Sequence, residues 1–174
     1  MKKKRYIFLT IITLYVAWAA TSCISKPKFP LRPSISFDQI RVDKVLDILG
    51  NVADSVTISI NFQDGDGDLG AFAGDTTDNF FVNLFYLRGG QFVRFIPPDS
   101  VLNFNGVFPD LNAEGQGPIE GTLIYSFPSI RSATYTQLNI PQNDVWKFQV
   151  YIKDRAGNFS DTIFTDSIFV NVVQ

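Results

Sequence analysis

An alternation of apolar and polar residues with a period of two constrains the fold of this chain more than any other feature of its sequence. Valine, isoleucine and phenylalanine alternate with threonine, serine and asparagine over residues 56–62, and residues 146–153 repeat the pattern. Successive side chains of a β-strand point to opposite faces, so each segment has one apolar and one polar face. The apolar faces predict a core made of Val56, Ile58, Ile60, Phe62, Trp146, Phe148, Val150 and Ile152.

Other apolar segments also predict strands, separated by turn residues. The candidates are residues 35–40, 80–87, 92–96, 119–127 and 160–173. The pair Gly89-Gly90 predicts a hairpin between two of them, because glycine tolerates positive φ. A short helical turn is predicted over residues 42–49, and a long loop over 99–118 with a short strand at 101–104. Six or seven strands with little helix predict an all-β sandwich, and the 17 phenylalanines suit its core.

The C-terminal third sharpens this prediction through a resemblance. The strand 146–153, the turn Asp154-Arg155-Ala156-Gly157-Asn158 and the segment 160–173 are similar to the last two strands of bacterial immunoglobulin-like domains. The resemblance implies an immunoglobulin-like β-sandwich of about seven strands over residues 34–174. It implies little about function, since this sandwich carries many unrelated activities.

The first 23 residues have the order of a bacterial secretion signal. Residues 2–5 are basic, residues 6–20 are mostly apolar, and residues 20–22 are small and precede Cys23, the only cysteine of the chain. The apolar stretch is shorter than the roughly 20 residues that span a bilayer, so it predicts a cleaved signal peptide. The segment resembles the lipobox of bacterial lipoproteins, although Ala20 stands where that family usually has leucine. The alternative is an uncleaved N-terminal anchor with an incidental cysteine.

The lipobox resemblance implies cleavage before Cys23, with a diacylglycerol and an N-acyl chain attached to that cysteine. The predicted organisation is then a signal peptide (residues 1–22), a lipidated cysteine with a flexible tether (23–33) and the sandwich (34–174). Lys26, Lys28 and Arg32 in the tether either contact anionic head groups or only keep it solvated. No aspartate follows Cys23 to retain the protein at the inner membrane, so the outer membrane is the predicted location.

Charge and composition exclude several function classes. Removal of residues 1–22 takes away four basic residues and no acidic ones, so the net charge changes from −2 to −6. An acidic domain repels phosphate backbones, and we therefore expect no nucleic-acid partner. The chain has no histidine, which removes the commonest general base and the commonest transition-metal ligand.

The segment Asp64-Gly65-Asp66-Gly67-Asp68 predicts a calcium site directly after the first alternating strand. Carboxylates at alternate positions repel one another unless a cation lies between them, and oxygen ligands favour Ca²⁺. The spacing resembles the start of an EF-hand calcium loop, with Asp75 at the twelfth position. Leu69 stands where that loop has glycine, and no flanking helices are expected. The alternative is a solvated acidic turn.

Asp154, Asn158 and Asp161 form a second oxygen-rich segment, for which a structural turn is the simpler interpretation. In an immunoglobulin-like sandwich the loops after the second and sixth strands lie at the same end. Asp154 and Asn158 are therefore predicted to complete the metal site. The tether should arrive at that end too, since the first strand runs antiparallel to the second.

The sequence therefore predicts a lipid-anchored, non-catalytic binding or structural module of the cell envelope, stabilised by calcium. Its partners would be the membrane and an unidentified envelope protein or glycan. Aromatic residues between positions 80 and 95 could stack on sugars or bind a protein, although burial of both their faces in the core is the expectation. The alternative function is a small hydrolase that acts on glycans through a carboxylate pair.

Overall fold

The computed structural model describes residues 27–46, 50, 52–97, 104–112, 117–127 and 144–170. Within these ranges the chain forms β-strands and no helix, and the strands make two sheets. In chain order the strands are β1 (Ser34–Leu46), β2 (Val52–Asp64), β3 (Phe80–Arg88), β4 (Gln91–Arg94), β5 (Ile119–Ser126), β6 (Asp144–Ile152), β7 (Ile163–Phe164) and β8 (Ile168–Val170). The predicted all-β sandwich is confirmed, with roughly eight strands instead of seven. The predicted signal peptide and Cys23 lie outside the described residues.

The two alternating segments form the central strands of the two sheets. β2 lies between β1 and β5, and β6 lies between β3 on one side and both β7 and β8 on the other. All pairings between these strands are antiparallel. The eight predicted core residues are all buried, seven at 0% exposure and Phe62 at 7%, and they belong to one hydrophobic cluster. The predicted register of both strands is therefore correct.

The polar face of β2 departs from the expected pattern, because two of its small residues are also buried. Thr57 is 5% exposed and Ser59 is 3% exposed. β2 is paired on both sides, so the side chains of two neighbouring strands cover its short polar residues. Thr57 satisfies its hydroxyl by a 2.9 Å hydrogen bond to the hydroxyl of Ser126 on β5.

The helical turn predicted over residues 42–49 is wrong for the described part of that segment. β1 continues as a strand to Leu46. It pairs with β2 along its whole length, from Ser34 opposite Gln63 to Leu46 opposite Val52. Apolar residues at 42, 45, 46 and 49 have helical spacing, but the long antiparallel ladder satisfies the backbone of this segment instead. Residues 101–103 of the predicted short strand lie outside the described ranges, and Phe104 is buried outside any strand.

The predicted hairpin at Gly89-Gly90 is confirmed, with φ angles of 58° and 81° between β3 and β4. Only one face of the aromatic strand β3 is buried in the core. Phe80, Val82 and Leu84 are buried, whereas the alternate residues Phe81 and Phe85 are half-buried on the outer face. The expectation that both faces of this run are covered by the core therefore does not hold.

Candidate metal centre

Three segments of the chain meet at one end of the sandwich, which we name the tether end. Residues 65–79 leave β2 there, residues 153–162 leave β6 there, and residues 27–33 lead into β1 there. The backbone N–H of Ala156 donates to Oδ2 of Asp68 at 2.9 Å, which joins the two acidic segments directly. The predicted convergence of the loops after the second and sixth strands is thus present in the structure.

Segments remote in sequence hold the acidic loop, residues 64–70, in its shape. The N–H of Arg155 donates to the carbonyl of Asp68 at 3.2 Å, and the N–H of Gly117 donates to the carbonyl of Asp66 at 3.1 Å. These bonds come from the turn after β6 and from the connection between β4 and β5. The conformation of the loop is therefore imposed by its tertiary surroundings as well as by its glycines.

The three alternate carboxylates of the loop form a compact cluster. One oxygen from each of Asp64, Asp66 and Asp68 lies within 4.8 Å of one from each of the others. Two oxygens bound to one Ca²⁺ at about 2.4 Å can be at most about 4.8 Å apart, so the spacing of the three side chains is compatible with one ion between them. Asp64 is fully buried, and the Oδ1 atoms of all three residues are buried without a hydrogen-bond partner.

Two of these carboxylates have one oxygen bonded to the backbone and one oxygen without a donor. Oδ2 of Asp64 accepts the N–H of Asp68 at 3.0 Å, and Oδ2 of Asp68 accepts the N–H of Ala156 at 2.9 Å. Their Oδ1 atoms remain without a donor. The backbone thus fixes the orientation of each side chain while one oxygen stays available as a ligand.

The electrostatics of the cluster favour a cation. Burial raises the pKa of Asp64 to about 6, and the charge of Asp66 adds to the shift. Burial also raises the pKa of Asp68, and the nearby charge of Asp154 contributes. A positive ion between the carboxylates would oppose both effects, because an opposite charge favours the ionised form.

The other predicted ligands do not join the cluster. Asp75 is exposed, and its Oδ1 accepts the N–H of Thr77 at 2.8 Å, which holds the pKa of Asp75 below its ordinary range. The two side-chain oxygens of Asp154 accept the N–H and the side-chain amide of Asn158, at 2.7 Å and 2.8 Å. Asp154 and Asn158 therefore close the turn, as the simpler interpretation of this segment expected, while Asp154 lies beside Asp68.

Arg155 is the residue of this end that the sequence did not single out. Its Nη1 atom lies 2.9 Å from Asp110 Oδ1 and donates to the carbonyl of Gly70 at 3.1 Å. Its guanidinium lies 4.6 Å from the ring centroid of Phe72. These partners are remote in sequence from Arg155, so no local pattern could have indicated them.

The part of the predicted tether that the structure describes packs on the sandwich. Arg32 forms an ion pair of 2.8 Å with Asp161, and its Nε donates to the carbonyl of Phe159 at 2.5 Å. Pro33 is buried. A Cβ on Gly65 would overlap with the carbonyl oxygens of residues 29 and 30, so the incoming chain lies directly against the acidic loop.

A polar cleft of about 240 Å³ also opens at the tether end, beside the acidic cluster. Phe72, Asp75, Asp78 and Lys153 are among the residues that line it. Phe72 is 63% exposed. The cleft has the aromatic surface and the carboxylates that a sugar-binding site would need.

Comparisons with known proteins do not assign the chain to a family. No protein-family model, no curated protein and no solved structure matches it. Within the described residues, the chain has no helix that is long and apolar enough to cross a membrane.

Proposed function

We propose that the protein is a lipid-anchored module of the cell envelope, held at the outer membrane, that acts by binding or as a structural element and not as an enzyme. The observation that carries this proposal is the packing of residues 27–33 on the tether end. Cys23 lies four residues before Pro27, and four fully extended residues span at most about 14 Å. Acyl chains on Cys23 would therefore keep the tether end close to the lipid head groups.

The outer face of the five-stranded sheet supports a binding role. Phe92, Phe164 and Phe169 are 38%, 44% and 59% exposed on this face. The ammonium group of Lys147 lies 5.6 Å from the ring centroid of Phe92 and 4.9 Å from that of Phe164. Clustered exposed rings are typical of surfaces that bind a partner. With the tether end at the membrane, this face would be at the side of the sandwich and not against the bilayer, so a partner could reach it.

The anchor is tested by expressing the full chain in a bacterium that has an outer membrane. The wild-type protein should incorporate labelled fatty acid and fractionate with outer membranes. Cys23→Ser should abolish the label and leave a larger, unprocessed precursor. Ser22→Ala keeps a small residue before the cleaved bond and should be processed normally. Normal labelling of the Cys23→Ser protein would contradict the proposal.

The binding role is tested by placing a photoreactive amino acid at Phe169 in the lipid-anchored protein. A discrete adduct should form in envelope membranes on illumination. The same group at Ile124, which is 71% exposed on β5 of the other sheet, is the matched control. Equal adducts from both positions, or none from Phe169, would leave the module without support for a specific partner on this face.

The second candidate function is a glycan hydrolase, and the polar cleft at the tether end is the observation that favours it. Hydrolysis of a glycosidic bond generally requires two carboxyl groups on either side of the bond. The lowered pKa of Asp75 would suit the ionised member of such a pair, and Asp78 is the other acidic residue of the cleft. The wild-type protein should then release reducing sugars from envelope glycans, and both Asp75→Asn and Asp78→Asn should abolish the release.

A further inference from the structure

We infer that Asp64, Asp66 and Asp68 bind one calcium ion, and that this ion clamps residues 27–32 onto the tether end. The proposed metal site is argued only from the side chains of these three residues and does not depend on the membrane anchor. Its effect on the membrane anchor rests on the function proposed above. Calcium would thereby determine whether residues 27–32, which connect the sandwich to the membrane anchor, are held against the sandwich or are free to move.

Asp64 separates this cluster from an ordinary group of surface acids. Its side chain is completely buried, and one of its oxygens is fixed by the N–H of Asp68. The other oxygen is buried and has no donor. A buried charge without a partner is costly, so an unsatisfied oxygen on a buried carboxylate that lies beside two others indicates a cation as the missing partner.

The chemistry of the cluster selects calcium among the common ions. All three side chains offer oxygen, and the chain has no histidine and a single cysteine, which disfavours zinc and other transition metals. Calcium accepts six to eight oxygens in variable geometry, so waters can complete the shell around three carboxylates. Magnesium requires a tighter octahedron and gives up its waters reluctantly.

The coupling to the tether follows from the position of Gly65 between two of the proposed ligands. The carbonyls of Phe29 and Pro30 approach Gly65 so closely that a Cβ there would overlap with both. The backbone on which the incoming chain lies is therefore the same backbone that positions Asp64 and Asp66. Without a cation these carboxylates repel one another, and the surface under residues 29–30 is displaced.

Calcium binding is measured by isothermal titration of the processed full chain in detergent micelles. The wild-type protein should bind one Ca²⁺, and a tenfold excess of Mg²⁺ should compete weakly. Asp66→Asn should lower the affinity at least tenfold, whereas Asp75→Asn removes an equivalent charge outside the cluster and should leave it unchanged. Absence of binding to the wild-type protein would overturn the metal site and the clamp together.

The clamp is measured by cleavage at the Lys28–Phe29 bond. Trypsin cuts poorly before proline, and prolines follow Lys26 and Arg32, so this is the one ready trypsin bond between Cys23 and Ser34. Cleavage should be at least tenfold slower with calcium than with chelator, with trypsin activity calibrated on a free peptide at each calcium level. In Asp66→Asn it should be fast under both conditions, and in Asp75→Asn it should follow the wild type.

Gly65→Ala separates binding from clamping, because the added methyl group displaces the tether without removing a ligand. This variant should still bind calcium, yet its Lys28–Phe29 bond should be cut rapidly even with calcium present. Equal cleavage of the wild-type protein with calcium and chelator would overturn the clamp. The released peptide, residues 23–28, carries Cys23, so its mass reports acylation separately. An unacylated peptide would count against the proposed anchor and not against the calcium clamp.

Discussion

Two buried aspartates at the tether end have different partners, and this difference assigns them different roles. Asp154 is 5% exposed, and both its oxygens accept hydrogen bonds from Asn158. Asp64 is more deeply buried, and one of its oxygens has no donor. The first carboxylate is satisfied by the protein and closes a turn, whereas the second has one oxygen that receives no hydrogen bond from the part of the chain that the structure describes.

Substitution of Asp154 by alanine should therefore destabilise the protein whether or not calcium is present. The change leaves the N–H of Asn158 without its acceptor, and such losses cost about 1–3 kcal/mol. The free energy of unfolding, measured by urea denaturation with calcium and with chelator, should fall by the same amount in both. Asp166→Ala, at an exposed position between β7 and β8, is the control. A loss seen only with calcium would instead make Asp154 a ligand.

The acidic cluster itself could be predicted from the sequence, because its three residues are close neighbours on one loop. Asp75 lies outside this cluster. Its place in the prediction depends on its count along an EF-hand pattern, whereas bonds from Arg155 and Gly117, which are remote in sequence, determine the shape of the loop. The Arg155–Asp110 ion pair depends on tertiary packing alone, so no spacing along the chain could indicate it.

The last predicted strand, residues 160–173, is divided in two at Thr165. The segment predicted as a single strand over residues 160–173 contains two short strands, β7 and β8, within its described part. Between them, the backbone and the side chain of Thr165 replace the regular strand pairing with β6. Its N–H donates to the carbonyl of Phe148 at 2.9 Å, and its Oγ1 accepts the N–H of Phe148 at 3.0 Å.

Thr165→Val is the test of this interpretation at the level of the element. Valine has nearly the same shape but leaves the buried N–H of Phe148 without an acceptor, so the variant should lose about 1–3 kcal/mol of stability. Hydrogen exchange at Phe148 should accelerate. Thr162→Val, which is exposed before β7, should change neither quantity by much. Unchanged exchange at Phe148 in Thr165→Val would show that another group satisfies this amide.

Strand existence was easier to predict than strand length, and β1 illustrates the reason. Its first half was expected from residues 35–40, but its second half has apolar residues at helical spacing. Pairing along the whole of β2 extends it to Leu46. A local pattern of side chains cannot contain this information, because the hydrogen bonds that extend the strand come from a partner that is adjacent only after folding.

In the whole molecule, the core depends on aromatic contacts that join the two sheets and the connection between them. Phe148 on β6 is fully buried, and its ring lies 5.2 Å from that of Phe127 and 6.3 Å from that of Phe104. Both partners belong to segments outside the five-stranded sheet. The alternation in the sequence indicated that Phe148 is in the core but not which rings it would contact.

Phe148→Ala should therefore reduce the stability of the whole domain by about 3–5 kcal/mol, as truncations of buried aromatic residues do. Lys147→Ala, the adjacent residue on the outer face, removes only its contacts with two exposed rings and should cost under about 1 kcal/mol. Chemical denaturation of both variants measures the two losses in the free energy of unfolding. Similar losses would place the register of β6 in doubt.

Calcium should raise the melting temperature of the entire sandwich, because the proposed ligand loop is bonded to the turn after β6 and to the connection between β4 and β5. An ion that binds only the folded form at a hundredfold excess over its dissociation constant adds about 2.7 kcal/mol. For a domain of this size that corresponds to a shift of about 5–10 °C. Asp66→Asn should abolish the shift and Asp75→Asn should retain it, when the full chain is melted with calcium and with chelator. Equal melting temperatures of the wild-type protein under both conditions would leave the acidic loop as a turn without a metal ion, held in shape by the hydrogen bonds that it receives from Arg155, Ala156 and Gly117.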